Sequence, residues 1–82
     1  MSLKSAFSKK VFYARQEKGY SQDDLAEAVS SSTRWIQKIE KGTVIPGGEI
    51  TIRLILSLDL DVNDLREVAE LRVPVSKIQR KP

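Results

Sequence analysis

Neither cysteine nor histidine occurs in this chain of 82 residues, so no disulfide or soft-metal staple can hold it and packing must do so alone. A chain this short buries only roughly 60% of its extended surface. Its core is therefore thin, a second domain has no room, and a deep substrate cavity would remove packing that the fold needs. The same absence removes the usual general base near neutral pH and the thiolate nucleophile. No catalytic residue, metal or cofactor is expected. No apolar run approaches the ~20 residues of a membrane helix, and Met1–Phe7 is too short for a signal-peptide core. A soluble, cytoplasmic chain with no membrane partner is expected.

Helix signals punctuate nearly the whole sequence, and only Val73–Lys77 hints at an extended segment, which makes the expected class all-α. Phe7, Val11, Ala14 and Lys18 share one face of a helix over 6–18, stopped by Gly19 at the position after its end. Ser21 with Asp24 is a capping-box variant that opens a second helix over 22–29, with Leu25, Ala26 and Val29 inward. After Ser30-Ser31-Ser32, any of which can cap the next helix, Trp35, Ile36 and Ile39 mark a third helix over 33–41, ended by Gly42. Pro46-Gly47-Gly48 marks a loop, and Ile50, Leu54, Ile55 and Leu58 stripe a fourth helix over 49–58. Asp61 with Asp64 predicts a fifth over 62–72, which Pro74 keeps short. The domain is expected to span 1–72, with 73–82 a tail, and Phe7, Val11, Leu25, Val29, Ile36, Ile39, Leu54, Leu58 and Leu65 to meet in one core.

The net charge of +3 is weak evidence for a polyanionic partner, but its distribution is polarised. Lys4, Lys9, Lys10, Arg15 and Lys18 crowd the first eighteen residues, whereas Asp59, Asp61, Asp64, Glu67 and Glu70 crowd 59–70. Arg72, Lys77, Arg80 and Lys81 return the tail to positive charge.

The segment from Arg15 to Glu27 (RQEKGYSQDDLAE), the segment from Ile36 to Gly42 (IQKIEKG), and Pro46, Leu58 and Leu65 at their separations together resemble the Cro/repressor type of helix-turn-helix proteins, often called the XRE family. The resemblance runs from Arg15 to Leu65 and implies a compact five-helix, lambda-repressor-like domain that binds double-stranded DNA and regulates transcription, most simply as a repressor. Ser30 and Ser31 stand where that family usually has glycine followed by an aliphatic residue, and serine tolerates a left-handed backbone poorly.

In this motif the second helix of the pair enters the major groove, so 33–41 is the expected reader. With Ile36 and Ile39 turned inward, its outward set is Thr33, Arg34, Gln37, Lys38 and Lys41. Arg34 suits guanine N7 and O6, Gln37 suits adenine, and the Thr33 methyl suits thymine. The family's pattern makes Thr33, Arg34 and Lys38 the usual base contacts. It makes Gln22 a phosphate clamp at the start of the second helix. Ser32, Lys41 and Thr43 are further phosphate candidates, and Lys9 or Lys10 can approach the backbone from the first helix. The resemblance pairs Arg15 with Glu40 as a structural ion pair. Trp35 can pack on the second helix, lie against a sugar or wedge beside a base, whereas Tyr20 suits partly buried packing.

A homodimer on a palindromic operator is expected, since one helix reads few base pairs, with 62–79 as its contact surface. The alternative is a module whose main partner is a protein, such as the antitoxin of a toxin–antitoxin pair. A hydrolase built on Asp59, Asp61 and Asp64 is disfavoured, because that cluster has capping work and no companion base.

Overall fold

In the computed structural model, which describes residues 2–69, the chain forms α1 (Leu3–Glu17), α2 (Gln22–Ala28), α3 (Thr33–Glu40) and α4 (Gly48–Leu58), followed by a single 3-10 turn at Asn63–Leu65. No strand occurs among the described residues. None of the helices there is long and apolar enough to cross a membrane. α1 begins three residues before its expected start, because the Ser2 hydroxyl accepts the Ser5 N–H at 3.1 Å and so supplies a cap.

The capping box at α2 is complete. Ser21 Oγ accepts the Asp24 N–H and Asp24 Oδ2 accepts the Ser21 N–H, both at 2.9 Å. The bond from the Ser21 backbone, followed by the one from its side chain, holds the Asp24 carboxyl below the usual carboxylate range. Ser32 caps α3 with the side-chain bond alone, its hydroxyl oxygen accepting the Trp35 N–H at 3.1 Å.

Three helices end in one hydrogen-bond pattern. At α1, Gly19 N–H bonds Gln16 O and Tyr20 N–H bonds Arg15 O; at α3, Gly42 N–H bonds Ile39 O and Thr43 N–H bonds Lys38 O. Both glycines sit at φ +76°, the left-handed region this turn requires. At α2 the equivalent bonds run from Ser30 N–H to Glu27 O and from Ser31 N–H to Ala26 O. There the left-handed residue is Ser30, at φ +57°. The substitution of serine for glycine leaves the turn's shape unchanged and places a Cβ in a conformation that costs about 1–2 kcal/mol.

Val11, Leu25, Val29, Ile36 and Leu54 are fully buried, Ile39 and Leu58 nearly so, and with Phe7 and Ala26 they form one core. Leu65 packs against it half-buried. α3 rests on both α1 and α2, while α4 closes the other side of α1 and α2. α3 therefore lies with its inner stripe held and its outer stripe free.

The expected fifth helix is corrected. Over 62–69 the chain makes the 3-10 turn and then further turns, although Ala69 N–H does reach Leu65 O at 2.9 Å. Asp61 is the cause: its Oδ1 accepts from the Asn63 backbone N–H at 3.0 Å and from Asn63 Nδ2 at 3.1 Å. A side chain satisfying the N–H two residues on builds a local turn, which competes with a helical start. The rest of that expected helix, and the 73–82 tail, lie outside the described residues.

Candidate nucleic-acid interface

The surface is set by α3. Ile36 and Ile39 fix its rotation, which leaves Arg34, Gln37, Lys38 and Lys41 exposed and Thr33 and Trp35 half-buried on either flank. Neither Arg34, Lys38 nor Lys41 has a carboxylate within ion-pair distance among the described residues. Lys38 Nζ instead stands 5.8 Å from the centre of the ring of Trp35, a residue that packs partly buried against the core. Trp35 is half-buried there, which leaves part of its ring at the surface of α3.

The first-flank residue Thr33 donates its hydroxyl proton to Asp23 Oδ1 on α2. Its remaining chemistry toward a groove is the methyl group. Thr43 donates both its N–H and its O–H to the Lys38 carbonyl, at 3.1 and 3.0 Å. Those donors close the end of α3, so the hydroxyl has to rotate away before it can reach a phosphate. Ser32 keeps its own hydroxyl proton while its oxygen accepts from Trp35.

Beneath the exposed face lies a polar chain. Arg15 Nε donates to Glu40 Oε2 at 2.6 Å and Arg15 Nη2 to Glu40 Oε1 at 3.1 Å, a two-pronged ion pair whose side chains are only 10% and 5% exposed. Arg15 Nη1 also donates to the Tyr20 carbonyl at 2.8 Å, and the guanidinium lies 5.5 Å from the Phe12 ring centre. One cation therefore ties α1, the α1–α2 turn and the end of α3. Glu40 Oε1 also accepts from Gln22 Nε2 at 3.0 Å, and Gln22 Oε1 accepts from Gln37 Nε2 at 3.4 Å. The Gln22 amide, expected from sequence to be free for a phosphate, is engaged on both ends. Asp23 and the Gln22–Glu40 link escaped the sequence reading. The second was traceable, because an Arg15–Glu40 pair brings the end of α3 back to the start of α2.

The cations of α1 behave differently. Lys10 pairs with Asp64 and Lys18 with Asp59, each at 2.9 Å. Asp59 holds the Lys18 ammonium above the usual lysine range, first through the hydrogen bond and then through its charge. Lys9 remains exposed. With Asp61 spent on Asn63, each carboxylate of the 59–64 cluster has a structural partner. Among the described residues no group of acidic side chains could hold a metal ion.

The helix-turn-helix family model matches residues 11–65, which spans α1 from Val11 through the 3-10 turn. The crystal structure of the clp gene regulator ClgR from Corynebacterium glutamicum superposes with a TM-score of 0.72 at 24% sequence identity, over 85% of this chain and 74% of that one. That likeness is one of fold. No curated protein matches the chain.

Proposed function

From a chain that belongs to the helix-turn-helix family and is a DNA-binding transcription regulator, we propose that α3 lies in the major groove and reads a specific operator, and that bound protein acts as a repressor by occluding the polymerase. The observation that carries this reading is the exposed face of α3, where Arg34, Lys38 and Lys41 stand without acidic partners among the described residues, in a fold that pairs Lys10, Arg15 and Lys18. Cations left unpaired on a helix that is rigidly held from behind suit phosphates and guanine edges.

In this reading Arg34 bonds guanine, Gln37 adenine, and the Thr33 methyl meets thymine, with Lys38 held over Trp35 as a further base contact. Lys41 and Ser32 hold phosphates on the flanks. Gln22 contributes its backbone N–H, which begins α2 without an intrahelical partner. Thr43 serves as the closing turn of α3, and a phosphate contact from it requires its hydroxyl to turn outward. The chain catalyses no reaction in this reading.

One α3 of eight residues touches too few base pairs to stand out in a genome. The protein is therefore proposed to act as a homodimer on a palindromic operator, as one domain with an appended tail. Half-sites then lie about 10 base pairs apart or a multiple of that. Selection of bound duplexes from a random library by the purified full chain tests this. Enrichment of a twofold-symmetric sequence is expected. A pool that stays random after repeated rounds contradicts sequence-specific binding.

A further inference from the structure

Taking base reading by α3 as given, we propose that Glu40 and Gln22 form a polarity relay: they fix which atoms of the Gln37 amide face the base pair, and so make that position prefer adenine over guanine. The relay starts from a group with no freedom. The Glu40 carboxylate is almost wholly buried, and Arg15 holds both its oxygens, at 2.6 and 3.1 Å. A carboxylate bound to a guanidinium accepts hydrogen bonds and donates none.

Gln22 must therefore turn its Nε2 toward Glu40, as it does at 3.0 Å, and its carbonyl Oε1 then points to Gln37. That oxygen accepts, and Gln37 offers its own Nε2 in return, at 3.4 Å on the exposed side of the chain of bonds. Reversing either amide would set donor against donor or oxygen against oxygen. The buried charge is thus written outward, through two neutral side chains, onto the exposed surface of α3. Phe12, Gln22, Gln37, Glu40 and Lys41 line one recess of about 430 Å³ around this chain, and the Phe12 ring beside Arg15 supports its inner end.

What remains on Gln37 is Oε1 and one N–H. Adenine presents a donor at N6 and an acceptor at N7, which that pair satisfies together. Guanine presents two acceptors, O6 and N7. An unrestrained glutamine can rotate to give both N–H groups to them, but a glutamine with one N–H committed to Gln22 cannot.

The test compares operator duplexes carrying A·T or G·C at each position, bound by the full-length parent, Gln22→Met, Gln37→Ala and the double variant. Gln22→Met keeps the side-chain length and removes both hydrogen-bonding atoms. The parent is expected to favour adenine by about tenfold at one base pair per half-site, the gain of one good two-pronged contact. Each single variant should bring that preference within about twofold, and the double variant should lose nothing more, as coupled positions do. Melting midpoints close to the parent's show that the fold is intact; should Gln22→Met melt early, Gln22→Ser removes the same link. A Gln22→Met protein that keeps the preference overturns the relay, and so does one that binds operator and random duplex equally more weakly, since the side chain would then be holding a phosphate. If Gln37→Ala alters no position of an operator that the parent does recognise, the relay fails while sequence-specific binding stands. A parent with no operator defeats both.

Discussion

The two charged faces of the molecule are built from the same residue types and end up opposite in character. Along α1, lysines meet the aspartates that come after α4: Lys10 with Asp64 and Lys18 with Asp59. Along α3, Arg34, Lys38 and Lys41 meet no acid among the described residues, and the carboxylates that do touch the helix are taken, Glu40 by Arg15 from behind and Asp23 by the Thr33 hydroxyl. The first face spends Lys10 and Lys18 on its own aspartates, with Lys9 left exposed, and helps pin the 3-10 turn to α1. The second keeps its charge outward. Net charge, at +3, hides this, and the pairing pattern reveals it.

Breaking the support of the open face should have the largest effect. Glu40→Ala leaves the Arg15 guanidinium buried without its partner, and such losses run to about 3–5 kcal/mol. Thermal or denaturant unfolding measures it, and an unchanged midpoint would show that the pair does not hold α1 to α3. Ile39→Ala, which removes the inner anchor of the same helix, should cost about 2–5 kcal/mol by cavity formation, read in the same assay. A smaller change of opposite sign is expected at the α2–α3 turn. Ser30→Gly relieves the left-handed serine, offset by the entropy of glycine in the unfolded chain, for a net gain of about 0.5–1 kcal/mol. A lower melting temperature would contradict the strain.

The self-paired face supplies the smallest effect, visible as pH dependence. The Lys18 ammonium is held above its ordinary value, so its stabilisation is present below the unfolded lysine value near 10.4 and is lost as pH rises through the folded one. Asp24 is displaced the other way. Its contribution is present above the unfolded value near 3.9 and fades as pH falls through the lower folded one. Melting against pH should therefore lose part of its alkaline slope in Lys18→Met and part of its acid slope in Asp24→Asn. Unchanged profiles would mean that neither bond survives in solution.

The elements that local signals specify were legible in the sequence. Gly19 and Gly42, the Ser21–Asp24 box and the Ile36–Ile39 pair mark helix ends and inner faces by themselves, and helices and core are set by them. The expected fifth helix fails at Asp61, because one carboxylate can cap a helix or build a two-residue turn, and the neighbouring Asn63 decides between them. The outward set on α3 was fixed by its two inward isoleucines. Which of those side chains are already engaged was not. Thr33 with Asp23 and Gln22 with Gln37 depend on how helices pack, which spacing along the chain does not encode, whereas Thr43 with Lys38 is a local bond of the turn that ends α3 and Gln22 with Glu40 follows once Arg15 and Glu40 are paired.

The claim that α3 reads bases is tested most directly at Arg34, an exposed cation with no acidic partner among the described residues. Binding of Arg34→Ala is measured on the selected operator and on random duplex across a salt series, with Lys10→Ala as the self-paired control. Loss of about 1–3 kcal/mol on the operator alone, with relaxed choice at one base pair per half-site and both affinities unchanged in the control, is the predicted result. Equal weakening of operator and random DNA, with the salt slope reduced by about one, would contradict it and make Arg34 a backbone contact.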